Sequence, residues 1–189
     1  MKIAILGGTF DPVHNGHMVL ADTAVKTFDL EKVIFIPAYI PPHKGEGEIA
    51  DAEDRLAMVK LAIEGNDKFG VSRLEINRKN VSYSIDTLSY IKKIYPENTE
   101  IFFLAGSDSA KTLDTWKGID KILSMCKFIV GARAGYTLKT KYKNIELMPM
   151  TPVDISSTEI RKMVRENKDI RGLVPEKVAD YIERFKVYA

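Results

Sequence analysis

Ile3-Ala4-Ile5-Leu6-Gly7-Gly8-Thr9-Phe10-Asp11-Pro12-Val13-His14-Asn15-Gly16-His17 is the stretch on which the architecture turns. Its first four residues form an unbroken apolar run, as a strand buried on both faces requires. Paired glycines then let the backbone turn sharply and let a ligand approach the main chain. Met18, Ala21, Val25 and Phe28 follow at helical spacing, so a helix is expected to start near His17. The string lacks both the Gly-x-Gly-x-x-Gly dinucleotide fingerprint and the Gly-Lys-Ser/Thr ending of a P-loop. It is nonetheless a glycine turn feeding a helix N-terminus, whose free N–H groups and partial positive charge suit phosphate.

The rest of the chain repeats the strand–helix alternation. Val33–Ile36 reads as a second buried strand, stopped by Pro37, and a loop with Pro41, Pro42, Gly45 and Gly47 follows. Asp51 is the expected N-cap of a helix to Glu64, and Val71–Ile76 alternates like a strand near an edge. Ser84 is the expected cap of a helix with Ile85, Leu88, Ile91 and Tyr95 on one face, ended by Pro96. Ile101–Ala105, Phe128–Val130 and Ile145–Met150 are further strands, with a helical stretch from Ser109 to Cys126 that Gly118 is expected to divide. Helices near Ser157–Glu166 and Glu176–Phe185 finish the chain. Such alternation predicts an α/β fold, a mainly parallel sheet with helices on both faces and a small C-terminal helical part. Ligands then bind at strand carboxyl ends where the strand order reverses, so the loops after Leu6, Pro37, Ala105 and Met150 are where chemistry is expected.

Composition narrows the classes. The 189 residues suffice for one domain, taken as residues 1–189 with a helical part over 155–189. Hydrophobic residues at 45% and charged ones at 29% argue against disorder. A net charge of +2 argues against a dedicated nucleic-acid binder, though not against a local basic site. One cysteine, Cys126, points to a reducing compartment, and a cytoplasmic location is expected. No apolar run reaches the ~18 residues of a membrane span, and the four apolar residues after Lys2 are too few for a signal-peptide core. No membrane partner is expected, and a homo-oligomer stays open.

Two of the three histidines, His14 and His17, sit one helical turn apart in the glycine-containing turn, so both rings can face one spot, which Gly16 keeps open. Near the other end, Ile155-Ser156-Ser157-Thr158-Glu159-Ile160-Arg161 is a second helix start, with hydroxyls, N–H groups and a guanidinium that together suit phosphate oxygens.

The first string resembles the Gly-Gly-[Thr/Ser]-Phe-Asp-Pro-x-His-x-Gly-His signature of the nucleotidyltransferases related to class I aminoacyl-tRNA synthetases, and the second their Ile-Ser-Ser-Thr-x-Ile-Arg motif. Pro41-Pro42-His43-Lys44, Ser82-Tyr83-Ser84-Ile85-Asp86-Thr87, Gly106-Ser107-Asp108-Ser109, Trp116 and Gly131-Ala132-Arg133 extend the likeness. Together they are similar to the bacterial nicotinate-nucleotide adenylyltransferases from Met1 nearly to the C-terminus. The resemblance implies a Rossmann-like fold and adenylyl transfer from ATP to nicotinate mononucleotide, giving deamido-NAD and pyrophosphate. It implies His14, His17 and Arg161 as catalytic residues. For ATP it implies Gly7, Gly8, Thr9, Phe10, Gly16, Gly106, Asp108, Ile155, Ser156, Ser157 and Thr158. Asp108 reads equally as an N-cap. For the pyridine nucleotide it implies Lys44, Thr87, Trp116 and Arg133, with Lys44 also readable as a solvated lysine and Trp116 as core packing. Mg²⁺ is expected through phosphate oxygens and water, not through protein side chains. Two positions depart from the family pattern: Lys117 stands where an aromatic residue is frequent, and Ala38 where an Asn is. The alternatives are another small enzyme of the superfamily, such as pantetheine-phosphate adenylyltransferase, and a catalytically silent nucleotide sensor.

Overall fold

The computed structural model describes residues 1–42, 49–132, 135–138, 140–151 and 153–189. Six strands form one sheet: β1 Lys2–Gly8, β2 Lys32–Pro37, β3 Phe69–Val71, β4 Glu100–Gly106, β5 Lys127–Ala132 and β6 Ile145–Pro149. Their spatial order is β3-β2-β1-β4-β5-β6, and every neighbouring pair is parallel. The helices are α1 Asn15–Phe28, α2 Ala52–Ile63, α3 Leu74–Arg78, α4 Ser84–Ile94, α5 Ser107–Ala110, α6 Ile119–Met125, α7 Ser157–Arg165 and α8 Glu176–Phe185.

Alternation along the strands sorts the core into two layers. Ala4, Leu6, Val33, Phe35, Phe102 and Leu104 face α1, α2, α7 and α8. Ile3, Ile5, Ile34, Ile36, Ile101, Phe103 and Phe128 face α4, α5 and α6. From β1 the chain steps outward to β2 and β3, then crosses back to β4 and steps the other way. Because parallel crossovers are right-handed, the two directions place their helices on opposite faces, and β1 and β4 flank the point of reversal.

Two local expectations need correction, and the expected division of the Ser109–Cys126 stretch at Gly118 is borne out. The strand read over Val71–Ile76 ends at Val71, and α3 begins at Leu74. Its apolar–polar alternation is too short to separate the two periods, and Ser72 Oγ accepts from Leu74 N–H at 3.3 Å, which helps the chain turn into the helix. Ser84 is the first residue of α4, not its cap; Tyr83 holds that position in extended conformation. The stretch from Ser109 to Cys126 splits into α5, a 3-10 turn at Leu113–Thr115 and α6. Gly118 makes the last break at φ 67°, and a Cβ there would fall 2.3 Å from Ile85 Cδ1.

Candidate active site

The reversal point is physically a gap. β1 pairs with β4 as far as Leu6–Leu104, yet with β2 as far as Gly8–Pro37. β4 meanwhile stays paired to β5 through Gly106–Gly131. The ends of β1 and β4 thus diverge, with Gly7 and Gly8 on one side and Ala105 and Gly106 on the other. A Cβ on Gly106 would meet nothing within 4 Å among the described residues, so this wall is open on their side. Gly8 is needed for another reason: its Cβ position lies 3.1–3.4 Å from the ring of Phe10, which folds back beneath the turn. Phe10 is buried, with φ 52°, and packs edge-on against His17 at 5.0 Å and against Phe35 at 5.8 Å.

His14 is the N-cap of α1, and its backbone N–H donates to His17 Nδ1 at 3.1 Å. The two rings lie 3.8 Å apart between centroids and 33° from parallel. Gly16 is what allows this: a Cβ there would sit 3.0 Å from His14 Cε1 and Nδ1. The expected opening at Gly16 is therefore filled by the His14 ring itself. Since His17 Nδ1 accepts, a neutral His17 carries its proton on Nε2 and offers a single donor there. Burial pushes the His14 imidazole down to about 4, and burial with the nearby His14 holds His17 well below the usual histidine range. Both rings are thus neutral at pH 7 until a negative charge arrives to favour their charged forms.

The N-terminus of α1 is less free than the sequence suggests. Asn15 N–H donates to Leu173 O at 2.9 Å, and the His17 and Met18 N–H groups donate to His14 O. The C-terminal segment has taken the place of solvent at the first of these.

The two end motifs meet although about 150 residues separate them. Arg161 Nη1 donates to the backbone carbonyl of Asp11 at 2.7 Å and pairs with Asp11 Oδ2 at 3.3 Å. Ser157 Oγ donates to Pro12 O at 3.0 Å. Ser156 caps α7 by accepting from Glu159 N–H at 3.2 Å, and Thr158 Oγ1 lies 3.4 Å from Arg161 Nη2. Ile155 packs against the first core layer. The Arg161 side chain is only 12% exposed, so it is packed into the fold and not a solvated arginine.

The remaining expected residues are placed unevenly. Gly7 lies in the divergent end of β1, and the Thr9 carbonyl accepts from Arg55 Nη1 at 2.7 Å. Asp108 is exposed and pairs with Lys111 at 2.7 Å; the N-cap of α5 is Gly106, so Asp108 is not the cap. Trp116 is half-buried on the second face, edge-on to Phe103 and Phe128 at 5.8 Å each, while a Cβ on Gly7 would lie 3.7 Å from Phe103 Cζ. Thr87 is 2% exposed and donates its hydroxyl to Glu75 Oε1, so it faces another side chain rather than open space. Lys117 Nζ lies over the Tyr83 ring at 4.4 Å from its centroid, and Ala38 N–H donates to Gly8 O. Lys44 and Arg133 lie outside the described residues. The histidines and the Arg161 motif thus sit on the first face of the gap, and Trp116 and Thr87 on the second.

Sequence reading passed over the residue that holds this loop system together. Arg55 is 0% exposed and donates to the carbonyls of Thr9 (2.7 Å), Tyr39 (3.0 Å) and Ala50 (3.0 Å). Its signal was present: Arg55, Val59 and Ile63 lie at i, i+4 and i+8 on the buried stripe of α2. A cavity of about 480 Å³ beside Arg55 is lined by Tyr39, Asp51, Arg73 and Lys79 among others, with neither His14 nor His17 among its lining residues. No helix among the described residues is long and apolar enough to cross a membrane.

Residues 5–163 match the cytidylyltransferase-like family. The chain is 44% identical to a Clostridium acetobutylicum protein named probable nicotinate-nucleotide adenylyltransferase, covering 99% of this chain and 98% of that one. A protein of the same name from Halalkalibacterium halodurans is 43% identical, covering 99% and 91%. The fold matches Plasmodium falciparum nicotinic acid mononucleotide adenylyltransferase complexed with NaAD at a TM-score of 0.82 and 22% identity, covering 99% of this chain and 97% of that one.

Proposed function

The chain belongs to the cytidylyltransferase-like family and, within it, to the nicotinate-nucleotide adenylyltransferases, and from that premise we propose how its gap carries out the reaction. The enzyme transfers the adenylyl group of ATP to nicotinate mononucleotide in NAD biosynthesis, giving deamido-NAD and pyrophosphate. The attacking group is the substrate's own 5′-phosphate, which needs no strong base. It approaches the α-phosphorus while pyrophosphate leaves in line. Catalysis then rests on alignment and on neutralising charge as it builds.

The observation that carries the assignment of roles is the meeting of both end motifs beside the stacked histidines. His14 donates toward the α-phosphate and His17, through Nε2, toward the β- or γ-phosphate. Arg161 and the hydroxyls and N–H groups of Ser156, Ser157 and Thr158 hold the pyrophosphate portion. Gly7, Gly8, Thr9, Phe10 and Gly16 shape the floor that lets the triphosphate approach the backbone. Gly106 and Asp108 border the adenosine ribose. Trp116 serves the pyridine nucleotide from the opposite face, with Thr87 behind it and its hydroxyl given to Glu75, and Lys44 and Arg133 are assigned to the same ligand. Mg²⁺ comes with ATP, held by phosphate oxygens and water. Asp11 is already engaged by Arg161, Tyr188 and Ala50, and no cluster of three or more His, Cys, Asp or Glu able to hold a metal occurs among the described residues. When bound, the metal offsets phosphate charge.

Pyrophosphate release with ATP and nicotinate mononucleotide, set against the amide mononucleotide, phosphopantetheine and CTP, tests the reading. Turnover confined to the first pair supports it; turnover only with another acceptor or with CTP overturns the substrate assignment. Tight nucleotide binding without product in any pairing would indicate a sensor. His14→Ala is expected to lower turnover by roughly 10²–10³-fold, the scale of losing one preorganised donor.

A further inference from the structure

The loop that carries His14 is held by a residue far away in sequence. Tyr188, just beyond α8, donates its hydroxyl to Asp11 Oδ1 at 2.8 Å, and Ala50 N–H donates to the same oxygen at 3.0 Å. Asp11 is 1% exposed. Its other oxygen, Oδ2, is buried without a hydrogen bond among the described residues and faces Arg161 Nη1 at 3.3 Å. A guanidinium meeting a free carboxylate closes a fork of two short parallel bonds near 2.7–2.9 Å. Here that fork does not form. Oδ1 is saturated by two donors from elsewhere, so Arg161 is held by Nη1 alone, chiefly on the Asp11 backbone carbonyl. Among the described residues its Nη2 has only a long contact with Thr158 Oγ1 at 3.4 Å. Nη2 is thus the weakly bonded end of the guanidinium, the one with donors to give an anion.

The geometry points to Tyr188 as a positioning residue for the ATP polyphosphate, acting through Arg161: by occupying Asp11 Oδ1 it prevents Arg161 from folding onto the carboxylate. Burial and the Asp11 charge hold its phenol well above the ordinary tyrosine range, so it stays a donor at any working pH. Tyr188 also occupies a left-handed backbone conformation, φ 75°, which a bulky residue adopts only when its surroundings impose it.

The inference rests on the assignment of ATP to this gap, and the test separates the two. In Tyr188→Phe the KM for ATP, and the ATP Kd measured by calorimetry without the second substrate, are expected to rise roughly 3- to 10-fold, the scale of one ordinary hydrogen bond. The KM for nicotinate mononucleotide and kcat should stay within about 2-fold of wild type on the same scale. In an Arg161→Ala background the Tyr188→Phe effect on ATP should vanish, because the two side chains act as one unit. A fall in thermal midpoint with no change for ATP, or an ATP effect that persists undiminished without Arg161, overturns the proposal. Tyr188→Met replaces Tyr188→Phe if the latter does not fold. A wild-type protein that binds ATP but makes no product counts against the reaction and leaves the calorimetric test of Tyr188 intact.

Discussion

Gly16→Ala should separate the stability of this protein from its activity. Gly16 is the second residue of α1, with no left-handed backbone to protect. In an ordinary helix this change stabilises by about 0.5–1 kcal/mol, because alanine loses less backbone freedom on folding. Here the new methyl lands 3.0 Å from His14 Cε1 and Nδ1, closer than carbon packs, while its next neighbour, Val153 Cγ1, is at an ordinary 3.8 Å. The imidazole must retreat by a few tenths of an ångström, at about 0.5–1.5 kcal/mol of rotamer strain. The two effects nearly cancel, so the urea unfolding midpoint should correspond to wild-type stability within about 1 kcal/mol. Catalysis has no such compensation. If a misplacement of 1 Å costs roughly 100-fold, a few tenths of an ångström cost roughly 4- to 10-fold in kcat. The assay is initial-rate pyrophosphate release with both substrates saturating, beside equilibrium unfolding of the same preparation. Unchanged kcat would show that the seat of the His14 ring does not matter to the reaction. A rate loss matched by a large loss of stability would show that the glycine serves the fold alone.

Acid should destabilise the protein through His14. Its folded value near 4 lies below the ~6.5 of an unfolded chain, so the stability is complete above pH 6.5 and is lost as pH falls from 6.5 to 4, by on the order of 3 kcal/mol. Chemical denaturation of wild type and His14→Gln across that window should show the variant losing less, and parallel losses would reject the assignment. Arg55→Met should destabilise by about 3–5 kcal/mol, because it removes the donor of three carbonyls at a fully buried position; near-wild-type melting would show that the loops do not depend on it. Gly106→Ala adds a methyl with nothing within 4 Å among the described residues, so stability should hold while the KM for ATP rises, and an unchanged KM would move the nucleotide away from this wall.

The fold was legible because its dominant physics is local. Unbroken apolar runs such as Ile3–Leu6 and Ile101–Ala105 have one stable fate, strands covered on both faces, and they are β1 and β4 at the centre of the sheet. Legibility failed where the local signal was short. Over Val71–Ile76 six residues fit neither period cleanly, and the helix prevailed with Glu75 and Ile76 on its buried side. At the edge of the sheet a three-residue strand such as β3 leaves little periodicity to read.

The site divides along the same line. His14, His17 and Gly16 are readable together because one helical turn fixes their mutual placement whatever the rest of the chain does. Arg161 was readable as a motif, but its tie to Asp11 spans 150 positions and no spacing rule reaches that far. Tyr188 carried no signal at all, since its role exists only once α8 has packed against α2 and brought the following residues beside the first loop. Thr87 shows the converse, a motif residue whose hydroxyl the fold has turned toward Glu75. What reaches the ligand in this enzyme is written locally in glycine turns and helix starts. What holds those groups at the right distance is written in long-range contacts between buried charges. A substitution among the supports should therefore appear first as a change in the affinity for ATP, with the histidines untouched, and only a change within the His14–His17 turn should act on the chemical step directly.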